Sequence, residues 1–113
     1  MPASPRVPIS VVVLTYNEEQ NLGACLASVS HLGETFVVDS GSSDGTVDVA
    51  GRFGARVVIH GFETHAKQWN WALRSLPFSY EWTLCLDADQ RVTDELAREI
   101  GRASCRERVL TDV

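Results

Sequence analysis

Asp87 and Asp89, in the stretch TLCLDADQRV, close a strand-like run with two carboxylates separated by a single alanine. Like charges so placed repel, and neither has an obvious basic partner. Carboxylates at i and i+2 just past a strand end can converge on one hard cation, directly or through its waters, which relieves the repulsion. Magnesium and manganese favour such oxygen ligands, with substrate phosphates completing the shell. A solvated turn is the plainer alternative for a lone Asp-Ala-Asp, and it loses weight here because the motif ends an apolar strand.

A second acidic cluster lies in DSGSSDGT, where Asp39 ends another apolar run and Asp44 precedes a helical pattern. An acid in the position of Asp39 commonly meets a ribose in nucleotide-binding α/β folds. Asp44 can cap the following helix or touch a ligand, and the sequence leaves both open. Lys67 and Asn70 are three apart on a helical segment, so they share a face from which both could reach an anionic ligand. His31, His60 and His65 lack zinc-ligand spacing; His65 alone is a candidate ligand contact, because of where it falls. Cys25, Cys85 and Cys105 lack CxxC spacing and suggest free thiols, with Cys25 and Cys85 buried, rather than a disulfide framework.

The elements that must position these groups alternate. Ile9 to Leu14 is a continuous β-branched run, as in a strand buried on both faces. Asn17 is expected to cap a helix with Glu18 and Glu19 in its first turn, Leu22, Leu26 and Val29 on its buried face, and an end near Gly33. Thr35 to Val38 is the second strand, followed by a short helix with Val47, Ala50 and Phe53 inward and Gly54 at its C-terminal turn. Arg56 to Ile59 is the third strand. A helix over Glu63 to Arg74 places Ala66, Trp69 and Leu73 on its apolar stripe; Trp71 either flanks a pocket or packs under a loop. Pro77 stops that helix, and Trp82 to Leu86 is the fourth strand. The fold class is therefore α/β, a mostly parallel sheet with helices on both faces and ligands in the crevice at the strands' carboxyl ends. Thr15 to Glu19, Asp39 to Asp44 and Asp87 to Asp89 all fall at that edge.

Apolar residues make up 44% and charged residues 22% of the 113, a balance that excludes disordered and fibrous classes. A net charge of −5 argues against a nucleic-acid partner. No apolar stretch is long enough to span a bilayer, and the start lacks the pattern of a secretory signal. After a short helix opened by Thr93, with Leu96 and Ile100 on one side, the chain becomes GRASCRERVLTDV, basic and aperiodic. The segment Ile100 to Val109 resembles the translation of a sequencing-library adapter. Residues 1–99 are thus expected to form the native unit and residues 100–113 a non-native tail.

VVVLTYNEEQNL, VVDSGSSDGT, HAKQWNWAL and LCLDADQRVTDEL occur in that order, and together they resemble the amino-terminal half of a family 2 glycosyltransferase of GT-A fold. The likeness covers roughly residues 8 to 99 and is greatest to bacterial enzymes of lipopolysaccharide-core and exopolysaccharide synthesis. It implies a nucleotide-diphosphate sugar donor, a UDP-sugar above all, with Mg2+ or Mn2+ at the Asp-x-Asp motif. The sugar passes to a hydroxyl of a saccharide or lipid-linked acceptor, usually with inversion. It also implies a cytoplasmic protein, with peripheral association at the inner face of the cytoplasmic membrane as one location.

Carried over by position, Thr15, Tyr16 and Asn17 line the nucleotide entrance and Glu19 lies near the base or ribose. Asp39 accepts from the base and Asp44 lies beside the nucleoside. Lys67 and Asn70 stand near the donor, Asp87 approaches the ribose or metal, and Asp89 is the more direct metal ligand. Gln90 departs from the glutamate that many relatives carry after the aspartates. The catalytic base is expected beyond the Asp-x-Asp motif, so this chain is expected to bind donor and to transfer little or no sugar. A nucleotidyltransferase is the alternative enzyme, but TYNEEQ is not the glycine-rich phosphate loop it would bring after the first strand. The same departure from GxGxxG weakens a nicotinamide-dinucleotide reading. A cation-dependent interaction module is the non-enzymatic alternative.

Overall fold

The computed structural model describes residues 7–30, 32–80, 82–93 and 109–110. Its elements are β1 (Val7–Thr15), α1 (Glu19–Val29), β2 (Leu32–Asp39), α2 (Thr46–Arg52), β3 (Arg56–Ile59), α3 (His65–Ser75), β4 (Trp82–Asp87) and β5 (Val109–Leu110). All five strands form one parallel sheet in the order β3-β2-β1-β4-β5. The expected α/β class is what the chain adopts.

Strand parity divides the core into two layers, because successive side chains leave a strand on opposite faces. Ile9, Val11 and Val13 of β1 pack with Leu22, Leu26 and Val29 of α1 and Ala50 of α2. Val12 and Leu14 point the other way, against Ala72 of α3, Leu76 and Phe36. A central strand buried on both sides needs the unbroken β-branched run that β1 carries, and Val11, Val12 and Val13 are each fully buried.

This arrangement creates the crevice. From β1 the chain winds through α1, β2, α2 and β3 along one direction, then α3 crosses the opposite face and delivers β4 to the far side of β1. The strand order reverses at β1, and such a switch point opens a cleft at the carboxyl ends of the two diverging strands. Register completes the edge: Thr15 pairs with Asp39, Leu14 with Asp87, and Asp39 with Ile59.

Several local expectations change. Gly33 lies inside β2, which begins at Leu32. A Cβ on Gly33 would come 2.2 Å from the Ile9 carbonyl oxygen, so the glycine serves close strand approach rather than a helix end. Asn17 does not cap α1; Glu18 stands at that position, and Asn17 adopts a left-handed backbone with φ 52°. Only Ala50 of the expected inward trio on α2 is buried, while Val47 and Phe53 are exposed. The helix is only two turns long and lies beside α1, so Phe53 covers Gly23 of α1 instead of entering the core.

On α3 the buried positions are Gln68 and Ala72, and Ala66 is exposed. Trp69 packs half-buried against the core as expected, and the fully buried positions are Gln68 and Ala72, because Gln68 finds hydrogen-bond partners that a reading of hydropathy alone does not anticipate. Gly54 has φ 77° at the end of α2, as a helix C-terminal glycine should. The expected helix from Thr93 through Leu96 and Ile100, Cys105, His31 and the boundary at Glu99 or Ile100 lie outside the described residues. Among the described residues no helix is long and apolar enough to cross a membrane.

Candidate functional site

At the switch point Leu14, Thr15, Tyr16 and Glu18 from the end of β1 face Asp87, Ala88 and Asp89 from the end of β4 across a cavity of about 270 Å³. Ser40, Phe62 and His65 close its third side. Tyr16, Ser40, Phe62 and His65 also line an adjoining recess, so one crevice has an acidic end and an aromatic end. Tyr16 and Phe62 are 59% and 50% exposed, large apolar surfaces left open beside a polar cavity. Phe62 and His65 meet edge to face with ring centroids 5.8 Å apart.

The acidic end is a tight turn. The Gln90 main-chain N–H donates to the Asp87 carbonyl at 3.0 Å, and the Asp87 N–H donates to the Gln90 side-chain oxygen at 2.6 Å. Gln90 therefore clasps the Asp-Ala-Asp turn from both ends. Ala88 is buried beneath it, which leaves Asp87 half-buried and Asp89 exposed, both on the cavity. Beneath the turn, burial pushes the Cys25 thiol up to about 11, with Arg91 opposing that rise and Asp89 and Asp87 adding to it. Cys25 is a buried free thiol as expected, and Cys85 is half-buried.

The wall between β1 and β2 is built differently. Asp39 is fully buried, and its Oδ1 accepts from the hydroxyls of Thr15 at 2.7 Å and Ser42 at 2.6 Å. Its Oδ2 accepts from the N–H groups of Gly41 at 3.0 Å and Ser42 at 2.7 Å. Burial acts to raise the Asp39 carboxyl, but the bonds from Ser42, Thr15 and Gly41 outweigh it and hold the group below its usual range. Asn17 joins the same loop to β1: its Oδ1 accepts from Ser43 N–H at 2.8 Å, and its own N–H donates to Ser42 Oγ at 2.7 Å. Asparagine tolerates the left-handed backbone that this staple requires.

Glu19 and Asp44 cap each other's helices. The Asp44 carboxylate accepts from Glu19 N–H at 3.3 Å, and the Glu19 carboxylate accepts from Gly45 N–H at 3.1 Å. Asp44 also takes the hydroxyl of Thr46 and, at 3.0 Å, its N–H. The Thr46 hydroxyl above all holds the Asp44 carboxyl below the usual range. Acidic side chains at two helix N-termini also meet the positive ends of both dipoles.

Of the residues singled out in the sequence, Thr15, Tyr16, Asp87 and Asp89 line the crevice, and so does His65. Asn17, Glu19, Asp39 and Asp44 form the network behind it. Lys67 and Asn70 lie on the exposed side of α3, and Lys67 pairs with Glu63 at 2.7 Å one turn earlier. Glu18, Ser40 and Phe62 line the crevice without having been singled out. Phe62 carried a signal, an aromatic residue in the polar connection GFET; Glu18 could not be told from Glu19 until the turn at Asn17 was known.

The model of the family described as Glycosyl transferase family 2 matches residues 10–109. The lipopolysaccharide core biosynthesis glycosyltransferase LpsC of Rhizobium meliloti is 33% identical over 101 residues, covering 85% of this chain and 36% of that protein. The crystal structure of glucosyl-3-phosphoglycerate synthase from Mycobacterium tuberculosis with Mn2+, UDP and glucosyl-3-phosphoglycerate aligns with a TM-score of 0.60 and 27% identity. It covers 74% of this chain and 35% of that one. S. aureus TarS 1-349 in complex with UDP aligns with a TM-score of 0.65 and 25% identity, over 83% of this chain and 31% of that one. The chain thus spans about a third of the length of each of these relatives.

Proposed function

Because the chain belongs to glycosyl transferase family 2, we propose that its crevice binds a nucleoside-diphosphate sugar, with UDP as the nucleotide, and that the whole protein transfers the sugar to an acceptor hydroxyl. The observation that carries this reading is the two-ended crevice, with the carboxylates of Asp87 and Asp89 at one end and the rings of Tyr16 and Phe62 at the other. A base is a flat π-surface and a diphosphate is an anion that needs a cation, so the two ends suit the two parts of one ligand. The UDP in the TarS complex and the Mn2+ and UDP in the glucosyl-3-phosphoglycerate synthase complex support the same reading.

Among the described residues no three His, Cys, Asp or Glu side chains gather into a metal cage. Two carboxylates on a strand-end turn instead fit Mg2+ or Mn2+ shared with donor phosphates, and Asp89, the more exposed, is the more direct ligand. When bound, such an ion supplies charge stabilisation to the departing diphosphate. Asp87 orients the ribose or the ion, and Gln90 keeps both carboxylates on the cavity. Thr15, Tyr16 and Asn17 form the nucleotide entrance, Asp39 stands behind the base, and Glu19 and Asp44 brace the nucleoside side. Lys67 and Asn70 approach the donor from α3.

The residue that removes the acceptor's proton is assigned beyond the Asp-x-Asp turn, and the reaction is proposed to invert the anomeric centre. The likeness to LpsC favours a lipopolysaccharide-core or other cell-surface saccharide acceptor, reached in the cytoplasm or at the inner face of its membrane. Residues 1–99 are proposed as the donor-binding half, and residues 100–113 as a tail foreign to it, which sequencing independent clones across the junction would check. Calorimetric titration of the chain with UDP, GDP and ADP, with and without Mn2+, tests the donor reading. Metal-dependent preference for UDP that Asp89→Ala abolishes is expected; indifference among the three nucleotides would overturn it.

A further inference from the structure

Gln68 is the one uncharged amide side chain buried in the core of the described residues, at 1% exposure, and it lies directly behind the aromatic end of the crevice. Its Nε2 donates to the His60 carbonyl oxygen at 3.0 Å and makes a longer contact of 3.4 Å with Ser40 Oγ. Its Oε1 lies 2.8 Å from His60 Nδ1. A carbonyl oxygen can only accept, so the amide nitrogen must face it, and the amide oxygen is then left facing the imidazole. An oxygen acceptor there requires a proton on Nδ1. The His60 ring is further pinned by stacking on Trp71, with centroids 3.8 Å apart and planes 16° from parallel.

One side chain of α3 therefore joins three elements at the ligand edge. His60 follows β3 and its N–H extends the ladder to the Asp39 carbonyl at 2.9 Å; Ser40 follows β2 and its N–H reaches the Thr15 carbonyl at 3.0 Å. Between His60 and α3 runs the connection that carries Phe62, and Ser40 and Phe62 both line the crevice. We propose that Gln68 is a positioning residue: its buried amide fixes His60 as the Nδ1–H tautomer and clamps the His60–Thr64 connection to the end of β2, holding the aromatic wall in place. The consequence for nucleotide affinity rests on the donor-site reading above; the tautomer and the clamp do not.

Two variants of the full chain separate these parts. Long-range nitrogen–proton NMR at mildly alkaline pH is expected to show His60 of the wild type as the Nδ1–H form. Gln68→Leu removes both donor and acceptor, so it is expected to lose that tautomer and to shift the resonances of Ser40 and Phe62. Its UDP affinity in the presence of Mn2+ is expected to fall about tenfold, the scale of one lost buried hydrogen bond. Gln68→Glu keeps an acceptor for His60 and loses the donor to the His60 carbonyl. It is expected to retain the Nδ1–H tautomer while losing UDP affinity to a similar extent, a split that general destabilisation would not produce. A wild-type His60 in the Nε2–H form would overturn the clamp, as would wild-type UDP affinity in either variant. Absence of UDP binding by the wild type would instead remove the donor reading, with the tautomer measurement still deciding the clamp.

Discussion

The ends of β2 and β4 both carry two aspartates, yet they put their carboxylates to opposite uses. At the end of β2, Asp39 is buried with four donors on its two oxygens, and Asp44 is engaged by Thr46 and by the N-terminus of α1. At the end of β4, main-chain and glutamine bonds close the turn and leave Asp87 and Asp89 lining the cavity. One pair builds the wall and the other faces what the wall encloses. Acidic residues at one sheet edge are thus not equivalent, and their burial tells Asp39 from Asp89.

The largest effect expected from breaking this contrast is at Asp39. Asp39→Ala strands the hydroxyls of Thr15 and Ser42 and the part-buried N–H groups of Gly41 and Ser42 and should cost about 3 kcal/mol in urea unfolding. The pH dependence follows the same bond set. Folding holds the Asp39 carboxyl below the usual carboxylate range, so its stabilisation is fully present above that range and is lost as pH falls through the lower folded value. Stability measured across that acid range should fall in the wild type, and Asp39→Asn should flatten the slope.

Asn17→Ala comes next, because it removes the staple to Ser43 and places a residue that disfavours φ 52° at the turn; a loss of about 2 kcal/mol is expected by the same assay. On the other side of the comparison, Asp89→Ala should leave stability within about 0.5 kcal/mol of the wild type, as for an exposed residue. Its metal-dependent UDP affinity should nevertheless drop at least roughly tenfold. A stability loss comparable to that of Asp39→Ala would erase the distinction between wall and turn. The smallest effect is at Lys67, whose pair with Glu63 is solvent-exposed. Lys67→Met should change stability by less than about 0.5 kcal/mol and lower UDP affinity, as an approach of Lys67 to the donor requires; unchanged affinity would take the α3 cation out of the site.

The amino-acid sequence alone determined the order of elements, the parallel sheet and the edge at which the polar clusters gather. These follow from local periodicity: the β-branched run of β1, the spacing of Leu22, Leu26 and Val29, and Pro77 after α3 each act over a few residues, as folding requires them to. The bounds of β3 were legible to the residue, since Gly54 ends the helix before it and His60 opens the polar connection after it. The Asp-x-Asp turn was equally legible, because a charged pair ending an apolar strand marks where the chain leaves the core for the strands' carboxyl edge.

Only the tertiary structure decided what each polar group faces. Asp39 and Asp89 look alike in sequence, but Asp39 is buried where its own loop, through Gly41 and Ser42, and the Thr15 hydroxyl 24 residues away converge on one carboxylate, and no local pattern reports that burial. The αL turn at Asn17 sends Glu18 rather than Glu19 to the cavity, and a single backbone angle makes that choice. Gln68 carries no sign of burial in the sequence; His60 and Ser40, brought to it from the ends of two other strands, give it buried partners. Burial of a polar residue depends on finding partners, and the fold alone supplies partners that are distant in sequence.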